Sequence, residues 1–193
     1  MAGIQVGKRF FEAAQWATEL HTSPGSHTPS VAQVLGVASL VLGDGGSQRE
    51  AVAGMIVDAS RAGTVSKREI RQRIGKKAAK LVDARTTALR DLERLEQDGD
   101  PSILRIGAAV TLHDAQALVR EVRRHGSVAF ARFDTPPGEI LDRYRGLVAV
   151  FHRRLGRTTM LTPELRAVLG ELERDAELDT AIAAWRVAHV DAA

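Results

Sequence analysis

The segment Gly54-Met55-Ile56-Val57-Asp58-Ala59 places a single carboxylate in an otherwise apolar run. The pattern predicts a helix over residues 48–61, because Ser47 stands before the run and Glu50 follows three residues later, as in a capping box. A metal site on a helix commonly pairs a carboxylate with an imidazole. Here the residue before the acid is valine, so the segment has kept a helical scaffold with half of such a pair.

Length and composition indicate one globular domain. The chain has 193 residues, and 44% of them are hydrophobic, which is enough to bury a single core. Aromatic residues make up only 4%, so Ala, Val, Leu and Ile must build that core, and they recur at helical spacing. No repeat or interdomain linker is visible. The sequence therefore predicts an all-α, single-domain helical bundle over residues 1–193.

The residue types and patterns that the sequence lacks indicate the cellular location. The chain has no cysteine, which excludes disulfides and thiolate metal sites and fits a reducing compartment. The N-terminus lacks the pattern of a secretory signal, and no apolar segment approaches the roughly 18 residues of a membrane span. We expect a cytoplasmic protein that does not associate with membranes.

Turn signals divide the chain into helices. Pro29, the glycine-rich turn at 43–46, Gly75 and Pro101 mark boundaries between periodic segments. The helical pattern of the last segment has a weak point near Asp175. The predicted helices cover residues 4–21, 30–42, 48–61, 67–97 with an interruption at Gly75, 102–124, 128–133, 139–155 and the stretch from 162 onward.

Basic residues are concentrated in one stretch, although the formal net charge is only +3. A solvated helix face is the favoured interpretation of this stretch. Binding of nucleic acid is the weaker alternative, because no aromatic residue is interleaved for base stacking and acids follow between Asp83 and Asp100. The stretch contains one acid, Glu69. Its basic residues are Lys67, Arg68, Arg71, Arg73, Lys76, Lys77 and Lys80.

Four segments, taken in order, resemble the HD superfamily and, within it, the hydrolase domain of RelA/SpoT-type alarmone enzymes. Residues 29–38 are similar to the family's Pro-Tyr-x-x-His-x-x-x-Val-Ala helix, and residues 54–58 match the helix that bears His-Asp. Residues 112–115 stand where the family has Asp-x-Leu-His-Asn, and residues 132–133 with 144–145 resemble its Arg-Phe and Tyr-Tyr-Arg segment. The resemblance covers residues 8–172 and leaves 173–193 as a helical extension.

The resemblance implies a metal site that this chain has lost. In the family, a divalent metal, usually manganese, is held by a His, the His-Asp pair and a distant Asp, and a Glu-Asp pair assists the attack of water. Of the four ligands, only Asp58 is retained, so we expect no metal, no cofactor and no catalytic residue. The ligand positions fall on Gln33, Val57-Asp58 and Val110, and the acid pair falls on Arg61-Ala62.

Two further residues complete the expected site. Arg61 lies one helical turn beyond Asp58, so we expect an ion pair between them in place of the metal. His113 keeps a family position and could bond Asp114, Gln33 or a ligand, but a satisfied core histidine is the favoured interpretation.

The sequence thus predicts a catalytically inactive pseudohydrolase of the HD fold that binds a small ligand or a protein partner. We expect its vestigial pocket to be formed by Gln33, Val57, Asp58, Arg61, Val110, His113 and Asp114.

Alternatives stay open for the pocket, for the basic stretch and for the C-terminal segment. The same pocket could hydrolyse nucleotide or alarmone substrates, or could support metal-free acid-base chemistry through His113, Asp58 and Asp114. The basic stretch 67–80 could bind nucleic acid. An apolar stripe around Ile182 and Trp185 is covered either by the bundle itself or by a second copy of the chain, as in a homo-oligomer.

Overall fold

The computed structural model describes residues 6–22, 31–88, 92–97, 100–133 and 135–189. Within these ranges the side chains at positions 21, 22, 61, 85–88, 94, 132, 157, 178, 179 and 181–189 lie outside the description. The described chain is helical and contains no strand. Its α-helices are α1 (Lys8–Thr22), α2 (Val31–Gly43), α3 (Gln48–Arg61), α4 (Lys67–Ile74), α5 (Lys76–Ala88), α6 (Leu92–Gln97), α7 (Pro101–His125), α8 (Pro137–Leu155) and α9 (Leu161–His189).

The all-α prediction is confirmed, and so is the interruption at Gly75. This glycine has φ +83°, a conformation that side chains other than glycine rarely adopt, and it separates α4 from α5. The short helix expected at 128–133 is a 3-10 helix over Gly126–Arg132. None of the described helices is both long and apolar enough to cross a membrane.

The weak point expected near Asp175 is wrong, because α9 runs through it without a break. After Gly170 the helix contains neither glycine nor proline, and its Glu, Arg, Ala and Leu residues have high helix propensity. The charged residues of this stretch reduce its amphipathic pattern but do not stop the backbone from continuing.

Helix α3 forms the centre of the bundle. It packs against α1, α2, α5 and α7, and every residue from 51 to 59 is buried. Gly54 permits the close approach of α2, since a Cβ at this position would lie 3.0 Å from Cγ1 of Val37. Helices α8 and α9 cover the other side of α7, where Phe151 is fully buried.

A buried ion cluster joins the α2–α3 turn to α7 and α9. Arg105 donates from Nε to Asp44 at 3.0 Å and from a terminal nitrogen to Glu50 at 2.6 Å. The other Asp44 oxygen accepts from Thr159 Oγ1 and from the Met160 amide, both at 2.7 Å. The side chains of Asp44 and Glu50 are only 2% and 7% exposed, so Arg105 neutralises carboxylates that water scarcely reaches.

The capping box predicted for α3 is part of this cluster. The Ser47 amide and hydroxyl donate to Glu50 at 2.7 and 2.6 Å, and the Ser47 hydroxyl accepts from the Glu50 amide. Burial by itself raises the pKa of Glu50, but the hydrogen bonds from Ser47 and Arg105 outweigh it and hold the pKa below its usual value. Glu50 is therefore ionised at neutral pH.

Arg105→Met should strongly destabilise the protein. Methionine retains the aliphatic stem but leaves two buried carboxylates without their cation, which typically costs about 3–5 kcal/mol of unfolding free energy. Urea unfolding followed by circular dichroism would measure the loss.

Arg123→Met provides a matched control for this experiment. Arg123 also bonds two acids, Glu171 and Asp175, but its side chain is 55% exposed, so solvent screens both pairs. We expect a much smaller loss of stability than for Arg105→Met. Equal losses for the two variants would show that burial does not determine the contribution of the Arg105 cluster.

Candidate functional site

The amide of Gln33 joins two acids from different helices. Gln33 Nε2 donates to Asp58 Oδ2 at 3.2 Å and to Asp114 Oδ1 at 2.9 Å. Gln33 lies in the first turn of α2, Asp58 near the end of α3 and Asp114 in the middle of α7. Three of the seven predicted site residues are therefore in direct contact, and an amide nitrogen lies between the two carboxylates.

The two valines at expected ligand positions are packed in the interior. Val57 is 1% exposed and Val110 is 2% exposed, and neither side chain has an atom that can coordinate a metal. Among the described residues, no group of three or more His, Cys, Asp or Glu side chains is placed to hold a metal ion. The donor set around Gln33 therefore does not fit the family's divalent ion.

Arg61 is the last residue of α3, and its side chain lies outside the described residues. Its expected ion pair with Asp58 stays a prediction. The same applies to Ile182 and Trp185, whose side chains are also outside the description, and hence to the apolar stripe and the homo-oligomer inferred from them.

His113 packs against the backbone of α2. A Cβ on Gly36 would lie 2.5 Å from Cδ2 and 2.6 Å from Nε2 of His113, so the imidazole occupies the space that only glycine leaves free. Nδ1 of His113 is buried and has no hydrogen-bond partner among the described residues, so the hydrogen bonding expected of a satisfied core histidine is not observed at this nitrogen.

The environment of His113 favours the neutral imidazole. Burial lowers the pKa of His113, the charge of Arg120 lowers it further, and the charge of Asp58 acts in the opposite direction. The net shift is downward from the usual value of 6.5. At neutral pH His113 is therefore an uncharged imidazole with one donor and one acceptor nitrogen.

A pocket of about 220 Å³ opens beside Asp114. Val110 and Asp114 connect it to the predicted site, whereas its opposite wall comes from α8 and the segment before it. That wall includes Glu139 and Arg143, which the sequence analysis missed because no motif distinguishes them from other surface charges. The full lining is Val110, Thr111, Asp114, Phe133, Thr135, Glu139, Ile140, Arg143, Tyr144 and Leu147.

Comparison with protein families gives one match over more than half of the chain. A family model described as "HD domain" matches residues 13–128, which include α2, α3 and α7. The chain belongs to the HD domain family. The match ends inside the 3-10 helix, so the α8 wall of the pocket lies beyond the part that defines the HD domain.

The HD fold is also present in a solved structure. The 1.85 Å crystal structure of lmo0812 from Listeria monocytogenes EGD-e superimposes with a TM-score of 0.63 at 16% sequence identity. The alignment covers 71% of this chain and 96% of the Listeria chain. At this identity the similarity shows a shared fold alone. A comparison with curated proteins gave no match.

Gly36→Ala tests the contact between α2 and His113. In a helix interior this change normally stabilises by about 1 kcal/mol, but here the added methyl group would displace the half-buried imidazole, at a cost of about 1–3 kcal/mol. We expect the single variant to be less stable than wild type in thermal and urea unfolding.

The same change made in a His113→Ala background should reverse sign. Without the imidazole, Gly36→Ala should raise stability by up to about 1 kcal/mol, since only the helix propensity is left to act. A destabilisation of equal size in both backgrounds would rule out the close contact between Gly36 and His113.

Proposed function

We propose that this HD-fold protein does not carry out metal-dependent hydrolysis and acts as a binding module, with a small ligand held in the pocket beside Asp114. The observation that supports this proposal is the bridge from Gln33 to Asp58 and Asp114. In a metal site, both carboxylates would face a cation. Here a neutral donor lies between them.

The chemistry of the surrounding residues agrees with this proposal. An amide nitrogen can satisfy two acceptors through its two hydrogens, but it does not activate water as a Lewis acid does. The positions that would supply the other ligands are Val57 and Val110, and neither can contribute a lone pair. Restoring the family's own ligand set would therefore require changes on α2, α3 and α7 together.

Within the HD family, we propose that the chain derives from the RelA/SpoT-type branch. Leu112-His113-Asp114 and the pair Phe133 and Tyr144 support this, since they occupy the order expected for that branch, and Asp114, Phe133 and Tyr144 line one pocket. The substrate of that branch does not follow. A polyphosphate in the pocket would meet two acids, Asp114 and Glu139, against one lining cation, Arg143, without a metal ion to offset the repulsion.

The pocket itself suggests a different class of ligand. Val110, Ile140 and Leu147 provide apolar surface, Phe133 and Tyr144 provide rings, and Asp114 contributes an acceptor. Such a lining suits a small, partly aromatic molecule that carries a hydrogen-bond donor or a positive charge. We propose binding of such a molecule, and the alternative occupant of the module is a protein segment.

A metal titration tests the loss of the metal site. We expect the wild-type protein to show no stoichiometric binding of Mn²⁺ by calorimetry and no phosphate release from nucleotides when Mn²⁺ is added. Gln33→Glu places a third carboxylate beside Asp58 and Asp114, so this variant should gain binding of one divalent ion.

Gln72→Glu adds the same charge on the exposed surface of α4 and should not gain binding. Tight binding of one Mn²⁺ per wild-type chain, or manganese-dependent hydrolysis by it, would overturn the proposal.

A blocked pocket mouth tests the binding role. Thr135 is exposed and lines the pocket, so Thr135→Trp should obstruct the opening without disturbing the core. In saturation-transfer NMR with a library of aromatic amine fragments, we expect fragments to bind wild type and to lose their signal with Thr135→Trp. Ser39→Trp, an exposed change on α2, should leave the signals in place. Signals that survive in both variants would place binding elsewhere.

A further inference from the structure

A second cavity, on another side of α3, is lined by positive charge. It has a volume of about 200 Å³ and lies between α1, α3 and the junction of α4 with α5. Its charged lining residues are Arg9, Arg49, Lys76 and Lys77, and no acidic residue contributes to the lining. It shares no lining residue with the pocket beside Asp114.

The four cations of this cavity have no acidic partner among the residues that the structure describes. Within the described part of the chain, none of them forms a salt bridge, whereas the nearby Lys8 pairs with Glu12 at 3.5 Å and Lys67 pairs with Asp83 at 3.4 Å. The cations come from three helices, so their proximity is a property of the fold and not of one charged segment. Their mutual repulsion is relieved when an anion binds among them.

The floor of the cavity is buried and apolar. Val52 and Ala78 are 4% and 2% exposed, and they form a small cluster with Ala13 against which Phe10 and Ile74 pack. This cluster holds α1, α3 and α5 together under the charges. The first turn of α5, which enters the cavity, contains no acid, so the positive end of the helix dipole adds to the field of the side chains.

We propose that this cavity, hereafter the cationic pocket, binds the phosphate group of a small molecule. Its volume is below the roughly 300–1,000 Å³ of pockets that enclose drug-sized ligands, so it suits one or two phosphate groups. Nucleic acid fits less well, because the cations surround a cavity and no aromatic residue lines it for base stacking. The ligand is either inorganic phosphate or pyrophosphate, or the phosphate group of an ester.

Calorimetric titration of the full chain at low ionic strength tests the cationic pocket. Inorganic pyrophosphate and glucose 6-phosphate serve as probes for the free and the esterified group. We expect saturable binding of at least one probe, with affinity that falls as salt is added. Arg49→Gln/Lys77→Gln removes two of the four cations and should weaken binding at least about tenfold.

Arg68→Gln/Arg71→Gln is the matched control. It removes the same charge from exposed positions of α4 that do not line the cavity, and binding should stay within about twofold of wild type. All of the substituted side chains are exposed, and circular dichroism would verify that each variant is folded.

Three results would overturn the proposal. The first is no saturable binding of either probe at millimolar concentration. The second is an equal loss of affinity in the two double variants, which would assign binding to the general charge of the surface. The third is tighter binding of duplex DNA than of either probe with loss in both double variants, which would make this face a nucleic-acid interface.

Discussion

Helix α3 is enclosed on all sides from Ala51 to Ala59, and Asp58 is the charged residue in that stretch. A carboxylate in such a position needs hydrogen-bond donors from neighbouring helices, because water cannot supply them and an unsatisfied buried charge is costly. Gln33 provides one donor from α2 and uses its second hydrogen for Asp114 on α7. The two hydrogen bonds from Gln33 thereby link α2, α3 and α7, the helices that surround the candidate site.

Two pairs of acids in this protein accept hydrogen bonds from donors of different charge. Near the α2–α3 turn, Asp44 and Glu50 are neutralised by the full charge of Arg105. Around Asp58, the observed donor is a neutral amide, and His113 nearby has a lowered pKa because of its burial. The first arrangement suits a structural role, because its ion pairs hold the α2–α3 turn against α7. The second keeps a polar group beside a pocket, where a ligand can exchange hydrogen bonds with it.

The HD fold supplies a scaffold, and the functional argument depends on what surrounds it. The family match ends at residue 128, yet the pocket beside Asp114 is closed by α8. The cationic pocket lies among α1, α3 and α5, away from that pocket. The two cavities differ in charge, since one is lined by the acids Asp114 and Glu139 and by Arg143, whereas the other is lined by four cations without an acid. They are therefore suited to ligands of different chemistry.

Much of the helical architecture follows from local signals in the sequence. Ser47 with Glu50 predicts the start of α3, Gly75 predicts the break between α4 and α5, and helical periodicity predicts the all-α class. The resemblance of short segments identified the HD family and brought Gln33, Asp58 and Asp114 into one hypothesis. The break expected near Asp175 was wrong, since weak amphipathicity does not interrupt a helix made of good helix formers.

The tertiary structure decided how distant side chains meet. Gln33 and Asp114 are 81 positions apart, and no local pattern predicts that one amide would bond two acids. The wall of the pocket from α8 and the convergence of Arg9, Arg49 and Lys77 likewise depend on how whole helices pack. Periodicity and capping act over a few residues, so the sequence by itself determined the helices and the family. Close packing of those helices determined which charged side chains form pairs, which are buried and which face a cavity.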